Sequence, residues 1–423
     1  MQASTPGRRF LLQGRAPSVP FVFVTVLIDI IGIGLIIPVL PLIVGEFTSS
    51  PDAQAKWYGV LAACFGLMQF LFAPLLGALS DRFGRRPLLL LGIAGMAFNF
   101  VVTAFATSLW MLLGSRLVGG ALAGNLAVAN AYIADITPPE DRARRFGLLG
   151  AAFGMGFIIG PVIGGLLGSY DLRWPFMAAA ILCVVNWCYG FLVLPESLPK
   201  ERRSPVNLKK CNPLSSLVGL VQLKGVGSLV AVIAISNFSQ FMLHTTWVLY
   251  VGHRFGWGPR ETGLSLFAVG VSSAVVQGGL LGPLLKWLGP YRLAVAGLLS
   301  QAVAYTGYGL ITQGWQAYAL ILGNFLSLGV AAALQSVVSR AAAPEHQGAT
   351  LGALSSMNSL MLVLAPMVAA PLYGEVSHFA SDDWRVGTPL FVASALSMLA
   401  CMLALHHFKS TPPNHTPMPS EAK

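Results

Sequence analysis

The chain has 423 residues, of which 55% are hydrophobic and 10% charged, with a formal net charge of +10. Soluble globular domains carry roughly 25% charged residues, so this composition excludes an ordinary water-facing surface. The basic residues are scattered over short loops, which argues against a nucleic-acid-binding stripe and for membrane topology as the source of the charge.

Arg8, Arg9 and Arg15 precede an apolar run that continues to about Val44. No small-residue cleavage site ends it, so it reads as an uncleaved first helix rather than a signal peptide. Apolar runs then recur, each long enough to cross about 30 Å of hydrocarbon as a helix. They predict helices over 19–45, 57–79, 87–108, 109–133, 145–169 and 174–194, then over 225–250, 262–284, 291–311, 316–339, 349–374 and 387–408. The expected organisation is an N-terminal six-helix lobe (1–194), a cytoplasmic linker loop (195–224), a C-terminal six-helix lobe (225–408) and a disordered cytoplasmic tail (409–423). The linker is marked by Glu196, Lys200, Glu201, Arg202, Arg203, Lys209 and Lys210. With both termini in the cytoplasm, 20 Lys and Arg fall on that side and five (Lys56, Arg173, Arg254, Arg260, Arg385) on the other. That asymmetry supports an even helix count in a multi-pass inner-membrane protein. Four of the five cysteines sit in apolar stretches, without a metal-ligand spacing, and read as small apolar side chains; no metal or cofactor is expected.

The two halves share a pattern 205 residues apart. Gly77-x-x-x-Asp81-x-x-Gly84 is matched by Gly282-x-x-x-Lys286-x-x-Gly289, Trp110 by Trp315, and Gly160-Pro161-x-x-Gly164-Gly165 by Ala365-Pro366-x-x-Ala369-Ala370. The expectation is an all-α membrane protein with twelve transmembrane helices in two parallel six-helix repeats. A solute path between the repeats follows.

Two ionisable residues, Asp29 and Arg116, fall deep in the hydrocarbon region, where charge is expensive and tends to be functional. Asp29 is the proton-carrier candidate and Arg116 its coupling partner; a static Asp29–Arg116 or Arg116–backbone contact is the plainer alternative. Polar and aromatic residues within spans are the substrate-path candidates: Gln69, Asn99, Asn125, Asn130, Gln240, His244, Trp247, Gln277, Gln301 and Asn358. Helix-to-helix hydrogen bonding is the alternative for each. His244 lies near the outer part of its helix, where a solvated role is equally compatible. Gly77, Asp81, Arg82, Gly84, Arg85 and Arg86 read as a gating latch, with the glycines permitting close approach and a sharp turn. Asp135 reads as a structural cap or a partner for a nearby arginine. Gly154, Gly160, Pro161, Gly164 and Gly165 lie on one glycine-lined helix suited to close packing.

The run Gly77-Ala78-Leu79-Ser80-Asp81-Arg82-Phe83-Gly84-Arg85-Arg86-Pro87 resembles the signature loop of the major facilitator superfamily. With Asp29-Ile30-Ile31-Gly32-Ile33-Gly34-Leu35, Met68-Gln69 and Arg254-Phe255-Gly256-Trp257, the chain is similar to the proton-coupled tetracycline exporters of Gram-negative bacteria from about Leu27 to Met402. The resemblance implies a major facilitator fold and a monomeric, or loosely associating, antiporter that exchanges cytoplasmic drug for external protons. It also implies a helix 4 arginine (Arg116) tied to coupling, and a Gly-Pro step in helix 5 that marks exporters. The chain departs from that pattern where Asn99, Gln301 and Ser273 stand in place of two acids and a histidine. Amides cannot carry a proton or offset a cation. Tetracycline itself is therefore not assigned, and neutral, zwitterionic or weakly anionic compounds suit the site better than cations. Proton-coupled efflux of small hydrophobic or amphipathic compounds, among them antimicrobials, is the expected function. The alternative is ion-coupled import or export of a metabolite. An enzyme is disfavoured because no phosphate loop, nucleophile turn or His-x-x-x-His pair occurs.

Overall fold

A computed structural model describes residues 19–138, 141–205, 227–341 and 347–410. The expected disordered tail beyond Ser410, most of the expected linker (206–226, with Lys209, Lys210 and Cys211) and the arginines before Val19 lie outside the described residues.

All described secondary structure is helical. The N-terminal helices are α1 (Val19–Ile36), α2 (Leu40–Gly45), α3 (Pro51–Phe83), α4 (Arg85–Ala104), α5 (Leu109–Leu122), α6 (Asn125–Ile136), α7 (Arg142–Gly168) and α8 (Trp174–Val193). The C-terminal helices are α9 (Gly227–Phe255), α10 (Pro259–Val275), α11 (Leu281–Leu310), α12 (Gly314–Gly323), α13 (Val330–Ala341), α14 (Gln347–Val376) and α15 (Thr388–Ser410). Among the described residues, ten helical stretches are long and apolar enough to cross a membrane, or eleven when the bent α12–α13 pair is one span. The expected count was twelve. The difference lies at Pro259–Leu310, a single 52-residue stretch in which a π-helical turn (Val276–Leu280) joins α10 to α11.

Several expected spans are broken, for local reasons. The 19–45 run divides at Ile37–Val39, because Pro38 lacks the N–H a helix needs and Pro41 opens α2. The 109–133 run divides at Ala123–Gly124, and the 316–339 run bends by 48° between α12 and the helix that follows. Two helix starts are capped by serines: Ser50 accepts from the Ala53 N–H ahead of Pro51, and Ser108 accepts from the Met111 N–H. α3 runs well past the expected 57–79 at both ends.

The helix contacts are pseudo-symmetric. α1 packs on α7 and α8, as α9 packs on α14 and α15; α4 packs on α8, as α11 packs on α15. Gly84 and Gly289, 205 positions apart, are two of three residues with positive φ among the described residues, at 109° and 71°. Both stand where a tight turn admits only glycine without strain. Two helix pairs carry most of the contact between the N-terminal and C-terminal sets, α3 with α14 and α7 with α10. A Cβ on Gly59 would lie 3.0 Å from the Pro366 carbonyl oxygen, and one on Gly263 would lie 2.3 Å from that of Pro161. Pro161 and Pro366 stand 205 positions apart, and each presents its carbonyl to a glycine across its seam.

These contacts are confined to one end of the molecule. Gly59, Gly66, Gly165, Gly263 and Gly270 all meet the opposite set, and Lys56 Nζ lies 3.4 Å from Glu375 Oε1. Toward the end that carries Val19 and Ser410, Gly77, Gly147, Gly150, Gly154, Gly278, Gly279 and Gly282 face open space. Small residues let helices approach in lipid, where van der Waals fit drives association. The seam is thus sealed at the end opposite the described termini and open at the termini end. Arginines staple the loops at the sealed end: Arg173 donates to the carbonyls of Ala104 and Ala106 and pairs with Glu46, and Arg254 donates to those of Ile311, Ser381 and Asp383.

Candidate functional site

Asp29 lies mid-way along α1 and is 4% exposed. Its two carboxylate oxygens are each held by an amide. Asn125 Nδ2 on α6 donates to Oδ2 at 2.5 Å, and Asn186 Nδ2 on α8 donates to Oδ1 at 3.1 Å. The break before α6 places Asn125 at that helix's first position. Gly92 on α4 leaves room for its carbonyl oxygen, since a Cβ at 92 would fall 1.8 Å from Oδ1. Asn186 was not among the sequence candidates. The signal was available, because it is an amide in an otherwise apolar span.

Arg116 on α5 is also 4% exposed, but no ion pair with Asp29 is present. Neither form of the static alternative holds in this conformation. Its Nε and Nη2 are buried without a hydrogen-bond acceptor, and its guanidinium carbon lies 5.9 Å from the centre of the Phe65 ring. A desolvated guanidinium without a carboxylate partner costs several kcal/mol relative to a paired one. It is an open seat for negative charge. Asn99 on α4, one of the positions where the resembled exporters carry an acid, is 2% exposed with its Oδ1 unsatisfied, and packs against Gly119.

The C-terminal helices enclose a cleft lined by Gln240, Leu243, His244, Val269, Ser272, Tyr305, Tyr308, Asn324 and Ser327 among others, with about 440 Å³ of unfilled space including the part open to solvent. Of the sequence candidates it contains Gln240 and His244, both exposed to it. His244 therefore faces an internal cleft rather than the outer surface. The lining includes no carboxylate, lysine or arginine. Its chemistry is hydroxyls, amides, one imidazole and tyrosine faces. Tyr305, Tyr308 and Asn324 were not anticipated, because tyrosine and asparagine here carry no sequence spacing that separates them from core residues.

Other candidates sit behind this surface or away from it. Trp247 is 5% exposed, donates to Ser265 Oγ at 3.0 Å and packs edge-on against Tyr308. Gln301 is 4% exposed and donates to the Tyr305 hydroxyl, so it positions a lining residue. Gln277 is exposed and donates to Ser273, and Asn358 is exposed on α14. Gln69 and Asn130 are half-buried.

The expected latch is a network within the N-terminal helices. Arg85, 8% exposed, pairs with Asp81 and Asp135 and donates to Ser80 Oγ. Asp135 is thus the partner of an arginine, one of its two expected roles. Glu196, expected in a solvated linker, instead caps α4: its carboxylate accepts the backbone N–H groups of Arg85 and Arg86. Those N–H groups carry the helix's positive end, which Gly84 has no side chain to satisfy. Ser197 bonds Asp135, and Arg86 bonds the Phe191 carbonyl. Arg82 is exposed. Gly84 is essential to the turn, whereas Gly77 makes no close approach in this conformation. On α7, Gly160 and Gly164 lie against Gly34 and Leu35 of α1, and Gly165 against Pro259 of α10; Gly154 faces open space.

Residues 22–366 match the Major Facilitator Superfamily. The chain is 39% identical to the tetracycline resistance protein, class C, of Escherichia coli over 90% of this chain and 94% of that protein. It is 36% identical to the class D protein of Salmonella ordonez over 90% and 95%. Among solved structures it is similar to the human organic anion transporter MFSD10 (TETRAN), with a TM-score of 0.68, 26% identity and coverage of 91% and 98%. An unpaired buried arginine, a sequestered carboxylate and a seam sealed at one end are thus set in a shared membrane fold. The chain belongs to the major facilitator superfamily, a family of transporters rather than enzymes, and is a multi-pass membrane protein that carries a small molecule by alternating access.

Proposed function

We propose that the chain is an ion-coupled transporter of a small, neutral to anionic aromatic solute. In this reading the coupling proton resides on Asp29 and the solute spans Arg116 and the uncharged C-terminal cleft. The observation that carries it is Arg116: buried, with its Nε and Nη2 lacking acceptors, and without a neighbouring carboxylate among the described residues to neutralise it. A solute carboxylate or sulfonate relieves that cost, and a cation raises it. The similarity to an organic anion transporter supports the same chemistry.

The architecture in this reading is two six-helix lobes. Pro259–Leu310 counts as two spans divided at Gly289, because 52 residues of helix extend about 78 Å, more than twice the hydrocarbon thickness. Both termini are cytoplasmic, so the described conformation opens inward. The N-terminal network around Arg85 fixes the open rim, and the α3–α14 and α7–α10 seams close the far side. The protein works as a monomer in a bacterial inner membrane.

Efflux of an antimicrobial is the second reading. It is favoured by the extent of similarity to the tetracycline resistance proteins and by the close-packed glycines of α7. The deciding experiment uses everted vesicles with an imposed proton gradient and a panel of benzoate, benzyl alcohol, benzylamine and tetracycline. Gradient-driven movement of benzoate, lost in Arg116→Gln, supports the first reading. Movement of tetracycline or benzylamine with benzoate excluded overturns it in favour of the second.

A further inference from the structure

We infer that Asn186 is a positioning residue that converts the charge of Asp29 into a change in the contact between α1 and α8. This rests on Asp29 as the coupling carboxylate.

The clamp around Asp29 is matched to an ionised carboxylate. Both oxygens accept N–H bonds, from Asn125 and from Asn186. Among the described residues no charged side chain acts on Asp29: its remaining titratable neighbour is the Cys183 thiol on α8, α6 contributes Asn125, and α7 meets this stretch of α1 with Gly156 and Gly160. A proton on Asp29 changes the inventory. The carboxyl gains an O–H donor, and the two groups facing it are donors. An acceptor is then required within a buried site.

The clamp holds one unused acceptor. Asn186 Oδ1 is buried and has no hydrogen-bond partner, although the residue is fully buried. Its Nδ2 meanwhile makes two bonds, to Asp29 Oδ1 at 3.1 Å and to the Thr25 carbonyl on α1 at 2.9 Å. A half-turn of the Asn186 amide brings Oδ1 to the proton on Asp29. The same turn carries Nδ2 away from Thr25. Protonation therefore exchanges two bonds for one: Asp29 O–H to Asn186 Oδ1 forms, while the bonds from Asn186 Nδ2 to Asp29 Oδ1 and to the Thr25 carbonyl, the latter a tie between α8 and α1, both break. Asn125 cannot serve, because its carbonyl oxygen is wedged in the notch at Gly92.

The test needs no solute. Infrared difference spectra between pH 5 and pH 8 are recorded on the full chain in proteoliposomes, with 13C-labelled asparagine to identify side-chain amide bands. The wild type should show a protonated-carboxyl band together with an asparagine amide band that appear over the same pH range. Asn186→Leu should lose the amide band and keep the carboxyl band, and Asn125→Leu should keep both. Asn186→Gln should restore an amide band at shifted frequency, which shows that the variants fold. An amide band unchanged in Asn186→Leu, or absent from the wild type while the carboxyl band is present, overturns the assignment. If Asp29→Asn leaves the carboxyl band intact, the reading of Asp29 as the proton site fails instead.

Discussion

Replacing Gly165 by alanine tests the seam directly. A Cβ at 165 would lie 2.5 Å from the Pro259 carbonyl oxygen and 3.1 Å from the Gly263 Cα, whereas ordinary contact begins at 3.4 Å. The α7–α10 seam must therefore part by about 0.9 Å. Both neighbours are backbone atoms and cannot swing aside. Overpacking of this kind costs ~1–3 kcal/mol. The cost falls on the conformation in which the seam is closed and is absent when the seam is open, so the open population rises about 5–150-fold. The assay is modification of a cysteine in the C-terminal cleft, Gln240→Cys in a background without native cysteines, by a membrane-impermeant maleimide applied to intact cells. The labelling rate should rise in Gly165→Ala. Gly154→Ala, on the same helix but facing open space, should leave it unchanged. Equal rates in all three would refute the reasoning, because the close packing would then not hold the conformation.

Three further outcomes follow. Gly84 sits at φ 109°, ψ 158°, a region essentially reserved for glycine, so Gly84→Ala should lower stability by about 1–3 kcal/mol from the backbone alone, read by thermal unfolding in detergent. Its Cβ would also strike the Glu196 carboxylate. Glu196→Ala should lower stability by ~0.5–2 kcal/mol through loss of the α4 cap, and Glu196→Gln by less. At the sealed end, hydrogen bonds from the Arg385 side chain and backbone hold Asp383 below the usual carboxylate range. Its contribution is complete above about pH 4 and fades as pH falls through the lowered folded-state value. The melting-temperature gap between wild type and Asp383→Asn should be constant from pH 8 to pH 5 and close on further acidification; a gap that widens in acid contradicts this.

Much of this was written in the chain. Asp29 and Arg116 stood out because charge in hydrocarbon is rare, and the repeat that relates Gly84 to Gly289 was visible as a spacing. What spacing could not supply was partners. The sequence gives no way to see that Asp29 is met by Asn125 and Asn186 rather than Arg116, because those contacts join α1 with α6 and α8 across long separations. Gly77, Gly154 and Gly165 look alike in sequence, yet only Gly165 meets a neighbour, since contact depends on which end of the seam is closed. Glu196 read as a solvated linker residue because its role depends on the orphan N–H groups of a helix that begins 111 residues earlier. The helix breaks were half legible: Pro38 announces one, whereas the bend between α12 and α13 carries no proline.

The account stands on a seam that must open and close for each solute carried. Cysteines at Gly59 and Ala370 test this most directly, since a Cβ at 59 would lie 2.5 Å from that of Ala370 and a disulfide needs about 3.5–4.5 Å, reached by a slight parting of α3 and α14. Oxidation should join the two helices and stop gradient-driven transport of the solute identified in everted vesicles, and reduction should restore it. Undiminished transport with the disulfide fully formed would contradict the account.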